Sequence, residues 1–430
     1  MSDNQMNVTV IGAAGDMTGR FLKGVAASKR DSLRFRLLDI DGAGARRAAS
    51  LFPDAQVDAG TLDLYDAKAL AQAVSGSDLV INGAGPFHRT ADIVRRAAIA
   101  AGASYLDIDD DVESTLAGFD LDPAARDAGC ALFIGCGASP GLTNVLARDL
   151  ADRLDGVDRV DVAWCVGDEG PQEPGRSVIA HTLHMGAGDY MGWQGGERAT
   201  RPTFVNTRHF DLPDLARQAF YECAHPEPVM LGRSFEGLRD ATCFGTLHPA
   251  PINGVLRGVA EAERDGRLTE DEAIDYLQQQ IAGKPGDKTA EREALRGMRE
   301  QVARGEVSRG AYYGFLMRDM LKLRYRTRAA TAAIVSGIKD GRPCRLMRFI
   351  DSSEADSPLK SMDVSTGLSQ AAFFLEALDR IGTVSGCLTP EQWIDPKAFY
   401  ARLATQLGCP QDEWLSPVKV LEGAPAPVPA

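Results

Sequence analysis

The sequence predicts an α/β chain, with a doubly wound parallel sheet at its N-terminus and a second α/β domain built on a mixed sheet. Three observations predict it. Over the first 150 residues short β-rich runs alternate with alanine-rich helical segments, the rhythm of parallel strands joined by helical crossovers. A glycine-rich turn follows the first of these runs directly and opens a helical segment, as in nucleotide-binding βαβ units. Beyond residue 150 the pattern changes: VDRVDVAWCVG, 157–167, alternates like a strand with one wet face.

Each element has its own signal. Strands are expected at 7–12 (NVTVIG), 34–39 (RFRLLD), 78–82 (DLVIN), 104–108 (SYLDI) and 130–135 (CALFIG), with a weaker one near 56–58. Helices are expected near 17–29, 42–51, 66–75, 90–101 and 122–128. Residues 259–308 are charged with helical periodicity and read as a solvated amphipathic insert. A strand–turn–strand is expected over 324–350, with Asp340-Gly341 at its turn. Helices at 367–381 and 396–407 precede a loosely ordered, proline-rich end, GAPAPVPA. The domain reading is 1–150, 151–362, 363–415 for the C-terminal helices, and 416–430 for the tail.

Composition narrows the function. The 430 residues suffice for two or three domains, and 44% hydrophobic with 25% charged residues is ordinary for a globular protein. A formal net charge of −13 argues against nucleic-acid or anionic-membrane partners. The start, MSDNQMNVTVIG, lacks the features of a signal peptide, and no apolar run is long enough to span a bilayer. The eight cysteines are dispersed without a CxxC, as in a reduced compartment. The expectation is a cytoplasmic protein.

The turn after the first strand carries Gly12, Gly15 and Gly19 in the spacing GxxGxxxG. Bare backbone there lets a pyrophosphate reach the N–H groups of a helix start. Gly12, Gly15, Asp16 and Met17 are therefore expected cofactor contacts, while a tight βα turn without ligand is the plainer reading. Asp39, twenty residues after Gly19, ends the second strand, where a carboxylate accepts from ribose hydroxyls and repels a 2′-phosphate. This favours NAD, with NADP the alternative because Arg46 and Arg47 follow closely. Asp39 as a simple helix cap is the competing reading. Asp63, in TLDLYD, is placed beside the adenine.

The fourth strand runs into NGAGPFHRT. Gly83, Ala84 and Gly85 let backbone lie against the cofactor, Pro86 stiffens the turn and Phe87 walls the nicotinamide. His88 is a candidate acid/base group and Arg89 a candidate carboxylate clamp, with helix capping as the alternative for both. Asp107, clustered with Asp109, Asp110 and Asp111, is a candidate anchor for a substrate ammonium, or part of a solvated capping turn. Ser139, in SPGLTN, offers a hydroxyl to substrate or caps a helix. His181 and His184 share a helix face and line the substrate cleft; with no third ligand at readable spacing, no metal is expected. Trp164 and Trp193 are assigned to packing.

GAAGDMTGR (12–20), DLVINGAGPFHRTADIVRRAAIAAGASYLDIDDD (78–111), GASPGLTNVLARDL (137–150), HPEPVMLGRSFEGLRDATCFGTLHP (225–249) and CLTPEQWIDPKAFYARL (387–403) together resemble the saccharopine dehydrogenase-like family. That family includes lysine 6-dehydrogenases and carboxynorspermidine or homospermidine synthases. The resemblance implies an NAD(P)-dependent oxidoreductase acting at a C–N bond of an amino acid or amine, including imine or opine-type conjugates. It implies a Rossmann domain, a second α/β domain that shapes the active site and commonly the dimer interface, and last helices that pack back on the Rossmann domain. Pro86, Phe87 and the Ser139-Pro140-Gly141 turn would then lie near the nicotinamide. The sequence departs from the family's usual GASGFTG by one residue and at His88, where relatives commonly carry other residues. Two rival readings stand beside it. One is a semialdehyde-type dehydrogenase with Cys136 as nucleophile; the other is a non-catalytic nucleotide-binding regulator or partner subunit.

Overall fold

The computed structural model describes the chain except residues 1–4, 29–31, 54–55, 168–173, 214, 216, 324, 326–327, 353–356, 360 and 423–430. The proline-rich end thus lies outside the described residues. The chain divides into two compact units, one formed by 1–149 with 363–413, the other by 150–362 with 414–430.

In the first unit the expected strands form at β1 (Met6–Ile11), β2 (Leu33–Asp39), β3 (Val57–Thr61), β4 (Leu79–Asn82), β5 (Ser104–Asp107) and β6 (Ala131–Phe133). They lie in one parallel sheet in the order β3-β2-β1-β4-β5-β6, extended beyond β6 by Gly386–Leu388. β1 and β4 are neighbours, and between them the chain reverses its direction of sheet growth. Ligands of such sheets bind outside the carboxyl ends of the strands at that switch point. Every residue of β4 and β5 is buried, which explains the apolar run Leu79–Ile81 in β4, while the polar Asn82, Ser104 and Asp107 are buried at the strand ends. Helices start on aspartate caps where the sequence offers them: Asp66 accepts from the N–H groups of Lys68 and Ala69, and Asp41 from Ala43. The helix Met362–Leu378 lies close on the helix Asp16–Ala27. A Cβ at Gly367 would fall 2.4 Å from the Arg20 Cβ, and Phe374 meets the edge of Phe21 at 5.4 Å.

The second unit carries β7 (Gly156–Val166), β8 (Asp189–Gln194), β9 (Glu197–Pro202), β10 (Thr207–Arg208), β11 (Phe220–Glu222), β12 (Asp240–Leu247), β13 (Ala330–Lys339) and β14 (Arg342–Asp351). Its mixed sheet runs β10-β11-β12-β7-β13-β14 and ends on Lys419–Val420, while β8 joins β12 and β9. β12 pairs parallel to β7 and β13 antiparallel to it. The expected hairpin closes with Lys339 opposite Arg342. Its two turn residues, Asp340 and Gly341, have φ of 51° and 71°, the left-handed pair that matches strand twist.

The charged segment 259–308 departs from expectation. It is not a solvated insert but part of a packed helical layer. Helices Ile252–Arg264 and Lys288–Ala303 touch backbone to backbone: a Cβ at Gly297 would sit 2.1 Å from the Gly254 carbonyl oxygen and 2.6 Å from the Gly258 nitrogen. Its buried side chains include Val259, Ala273, Ile274, Ala294 and Met298. The charges that suggested solvent are paired, across the layer where Arg296 meets Glu261 at 2.9 Å and along its own helix where Arg296 meets Glu300 at 2.7 Å. Among the described residues no helix is long and apolar enough to cross a membrane.

Gly297→Ala should force these helices apart and destabilise the second unit by about 1–3 kcal/mol. Gly314→Ala, on a helix where a Cβ meets nothing within 4 Å, should be neutral or stabilise by up to about 1 kcal/mol. Thermal unfolding of the two variants checks the contrast, and equal midpoints would refute the close contact.

Candidate functional site

Gly12 has a φ of 81°, and a Cβ there would fall 2.5 Å from the Gly83 carbonyl carbon and 2.6 Å from the Ala84 nitrogen. Its lack of a side chain serves the contact between the ends of β1 and β4. Gly83 is bare for a related reason, since its Cβ would meet Thr18 Oγ1 at 2.1 Å. Gly15 is exposed and caps the helix Asp16–Ala27 without any side-chain hydrogen bond to the helix end. An uncapped helix start beside the switch point suits a pyrophosphate. Asp16 is exposed at that helix start, and Met17 turns inward to pack with Phe87, Ala91 and Ile108.

Asp39 sits at the tip of β2 with both oxygens oriented by backbone. Oδ2 accepts from the Ala14 N–H at 2.9 Å and Oδ1 from the Asp41 N–H at 2.8 Å. Each oxygen keeps a further lone pair, so the carboxylate has the capacity to take two ribose hydroxyls. It does not cap the next helix; Asp41 does, while meeting Arg47 at 3.1 Å. Asp63 is exposed and accepts the Tyr65 N–H, which organises its own turn.

At the tip of β4, buried Asn82 accepts from the Ala84 N–H at 3.1 Å and donates to the Tyr105 hydroxyl at 3.2 Å. Gly83, Ala84, Gly85 and Pro86 are each half-buried. Pro86 precedes the helix Phe87–Ala100, whose Thr90 hydroxyl returns to the Ala84 carbonyl. His88 stands in the first turn of this helix, its side chain 18% exposed. Asp111, 1% exposed, accepts the His88 backbone N–H at 2.8 Å and lies 3.1 Å from His88 Nδ1 on the same Oδ2. A carboxylate only accepts, so Nδ1 carries the hydrogen and Nε2 is left as the basic nitrogen of the neutral ring. Arg89 is exposed one residue further on.

Asp107 belongs to the buried framework behind this pair. Its Oδ2 takes Arg95 Nη2 at 2.6 Å and the Tyr105 hydroxyl at 2.8 Å. Its Oδ1 takes the N–H groups of Gly135 at 2.8 Å and Asp109 at 3.2 Å. An enclosed carboxylate with both oxygens so engaged has no face for a substrate ammonium, so the expected anchoring role is replaced by a structural one. Arg95, also enclosed, reaches Asp109 at 2.5 Å and the Ser114 carbonyl. Asp109 in turn accepts the Asp111 N–H at 3.0 Å. One guanidinium cannot neutralise all these carboxylates. Burial pushes the Asp109 carboxyl up to about 8, against the pull of Arg95 and helped by Asp107 and Asp111. DIDDD is thus a stack of interlocked carboxylates, not a solvated turn.

The 135–141 loop after β6 is tightly self-bonded: Gly137 N–H donates to the Pro140 carbonyl and Leu142 N–H to the Gly137 carbonyl, each at 3.0 Å. Half-buried Ser139 lies in this loop. Asn144 holds it by accepting the Gly141 N–H at 3.0 Å and donating to Glu391 at 2.8 Å. Cys136 is enclosed, and burial, with Asp107 and Glu391 nearby, pushes its thiol well above the usual range. The thiolate that a semialdehyde mechanism needs is therefore not available there, and that rival loses its nucleophile.

In the second unit His181 is buried and His184 exposed on the helix Arg176–Met185. The His181 ring meets His225 edge-on at 5.6 Å, and His225 Nδ1 lies 3.0 Å from Glu227 Oε2. Trp164 is buried with its ring 5.7 Å from His225, and Trp193 donates to the Leu238 carbonyl. Sequence reading did not single out Asn82, Arg95, His225 or Glu227, and did not connect Asp111 with His88. The last link had a signal. β4 and β5 are parallel neighbours with Asn82 opposite Asp107, so the segments just beyond both tips leave the sheet side by side.

Asp109→Asn tests the charge stack. A carboxyl raised on folding holds its proton more tightly in the native state, so native stability falls as pH rises from about 4 to about 8. The Asn variant lacks this loss; its stability relative to the parent should therefore increase across that interval. Chemical unfolding at several pH values measures the difference, and a constant difference would refute the raised carboxyl.

Residues 8–132 match the family model described as saccharopine dehydrogenase NADP binding domain. Among solved structures, the chain is similar to apo histidine-tagged saccharopine dehydrogenase (L-Glu forming) from Saccharomyces cerevisiae. That likeness has a TM-score of 0.60 at 14% identity and covers 97% of this chain and 100% of that one. A second, GenD2 from gentamicin A biosynthesis in complex with NAD, gives a TM-score of 0.40 at 14% identity, over 94% of this chain and 93% of that one. The yeast likeness extends the shared fold beyond the matched domain. Residues 8–132 thus carry an NAD(P)-binding domain of the saccharopine dehydrogenase type on the parallel sheet of the first unit, and the yeast likeness, at 14% identity, is one of fold.

Proposed function

We propose that this chain transfers a hydride between a nicotinamide cofactor and a C–N bond of an amino acid, amine or imine/opine-type conjugate, with His88 as the acid/base group. The observation that carries the reading is the His88–Asp111 pair, set just past the glycine collar at the tip of β4. Bound nicotinamide supplies or accepts the hydride. Oxidising an amine to an imine also releases one proton from nitrogen, and His88 Nε2 takes it; imine reduction returns it. Asp111 acts through His88 by fixing the tautomer and steadying the imidazolium.

Other roles follow within the same reading. Gly12, Gly15, Asp16 and Met17 border the phosphates, and Asp39 holds the adenosine ribose. Gly83, Ala84, Gly85, Pro86 and Phe87 border the nicotinamide, and Asp63 the adenine. NAD is the expected cofactor, with NADP the alternative. Arg89 clamps a substrate carboxylate, assisted by Ser139, and His181 and His184 are the substrate contacts proposed for the second unit. The protein works as a cytoplasmic homodimer on a small molecule, without nucleic-acid or membrane partners.

Absorbance at 340 nm tests this, with lysine, ornithine, diamines and saccharopine-like conjugates offered with NAD and with NADP. Turnover of at least one is expected, and His88→Gln should lower kcat roughly 100- to 10,000-fold while cofactor affinity holds. Cofactor binding without turnover of any of these would favour the regulator reading instead. Separately, Asp39→Ser should raise the ratio of NADP to NAD efficiency by about tenfold or more, the scale of one lost charged contact. An unchanged ratio would remove Asp39 from the ribose.

A further inference from the structure

The second unit contains a buried group of donors that the hydride chemistry does not use. Glu222 on β11 pairs with Phe244 on β12, so Cys223, one residue past β11, comes opposite Cys243. Their sulfurs are 3.8 Å apart. The chain continues through His225 to Glu227, the first residue of the helix Glu227–Ser234. One ligand atom from each of His225, Glu227 and Cys243 lies within 4.8 Å of the other two, and all three residues are buried.

We propose that His225, Glu227 and Cys243 bind one divalent ion of the zinc class. The donors are an imidazole nitrogen, a carboxylate oxygen and a sulfur, the mixture that zinc accepts and that hard magnesium or calcium does not select. On binding, the ion displaces the Cys243 proton, and the resulting thiolate and the carboxylate bring two negative charges that a divalent ion cancels inside a buried site. His225 Nδ1 lies 3.0 Å from Glu227 Oε2, hydrogen-bond distance without an ion and only a few tenths of an ångström short of the about 3.3 Å between two ligands of one tetrahedral zinc, so an ion replaces the hydrogen with little movement. Cys223 stands next to this group as a second sulfur, and Trp164 and His181 wall the His225 ring. The site was not legible in the sequence because its third ligand follows Glu227 by sixteen residues and arrives on a different strand.

The test uses the full chain without a histidine tag, purified without chelators. Elemental analysis should find about one zinc per chain. After zinc removal, added Co2+ should give the near-ultraviolet thiolate-to-cobalt band and the visible bands of a tetrahedral site. Cys243→Ser should lose the near-ultraviolet band, and His225→Asn should weaken cobalt binding tenfold or more. Less than a tenth of an equivalent of metal, together with only the weak spectrum of hydrated cobalt, would overturn the proposal. So would unchanged binding in both variants. If a variant fails to fold, the cobalt spectrum of the parent chain decides alone. None of these readouts depends on turnover, so they stand or fall apart from the hydride reading.

Discussion

The buried guanidinium of Arg95 is the constraint on which the rest of the candidate site depends. It comes from the helix that follows β4, and it holds carboxylates from the tip of β5 and just beyond. Taking such a charge out of water is favourable only when partners meet it closely, and removing one partner costs about 3–5 kcal/mol. The arrangement therefore fixes the helix that carries His88 against the segment that carries Asp111. A hydrogen bond between two residues 23 positions apart becomes a stable feature because a buried ion cluster lies directly behind it.

That cluster has more acid than base. Arg95 faces Asp107 and Asp109 together, with Asp111 next in line. The cheapest way for a buried site to handle an excess carboxylate is to keep one of them protonated. Asp109 takes that part, and the proton it keeps lets Asp111 remain an acceptor for His88. Structural and chemical duties are divided along DIDDD: Asp107 binds framework, Asp109 balances charge, and Asp111 orients the imidazole.

Much of the first unit was legible in the sequence. Strands such as VTVI and LVIN are apolar on both faces because both faces are covered, and Asp340-Gly341 announces its turn because few residue pairs adopt two left-handed conformations. Gly12 was also legible, although for an incomplete reason: it admits the neighbouring strand as well as any ligand. The roles of Asp107 and Cys136 were not legible, since exposure and partner count decide them and neither is written in local spacing. The helical layer of the second unit misled for the same reason. Charged residues at helical period look solvated until a facing helix supplies the opposite charges, and Gly254, Gly258 and Gly297 bring that helix into contact.

Asp39 links two properties that are usually engineered one at a time. The oxygen proposed to meet a ribose also anchors the Ala14 amide, and its companion anchors the amide of Asp41. Deleting the carboxylate to admit a bulkier, more negative coenzyme would at once slacken the loop against which that coenzyme must rest. A switch of coenzyme in this scaffold therefore calls for a replacement that still receives the Ala14 hydrogen while lacking the charge, such as an amide or hydroxyl side chain.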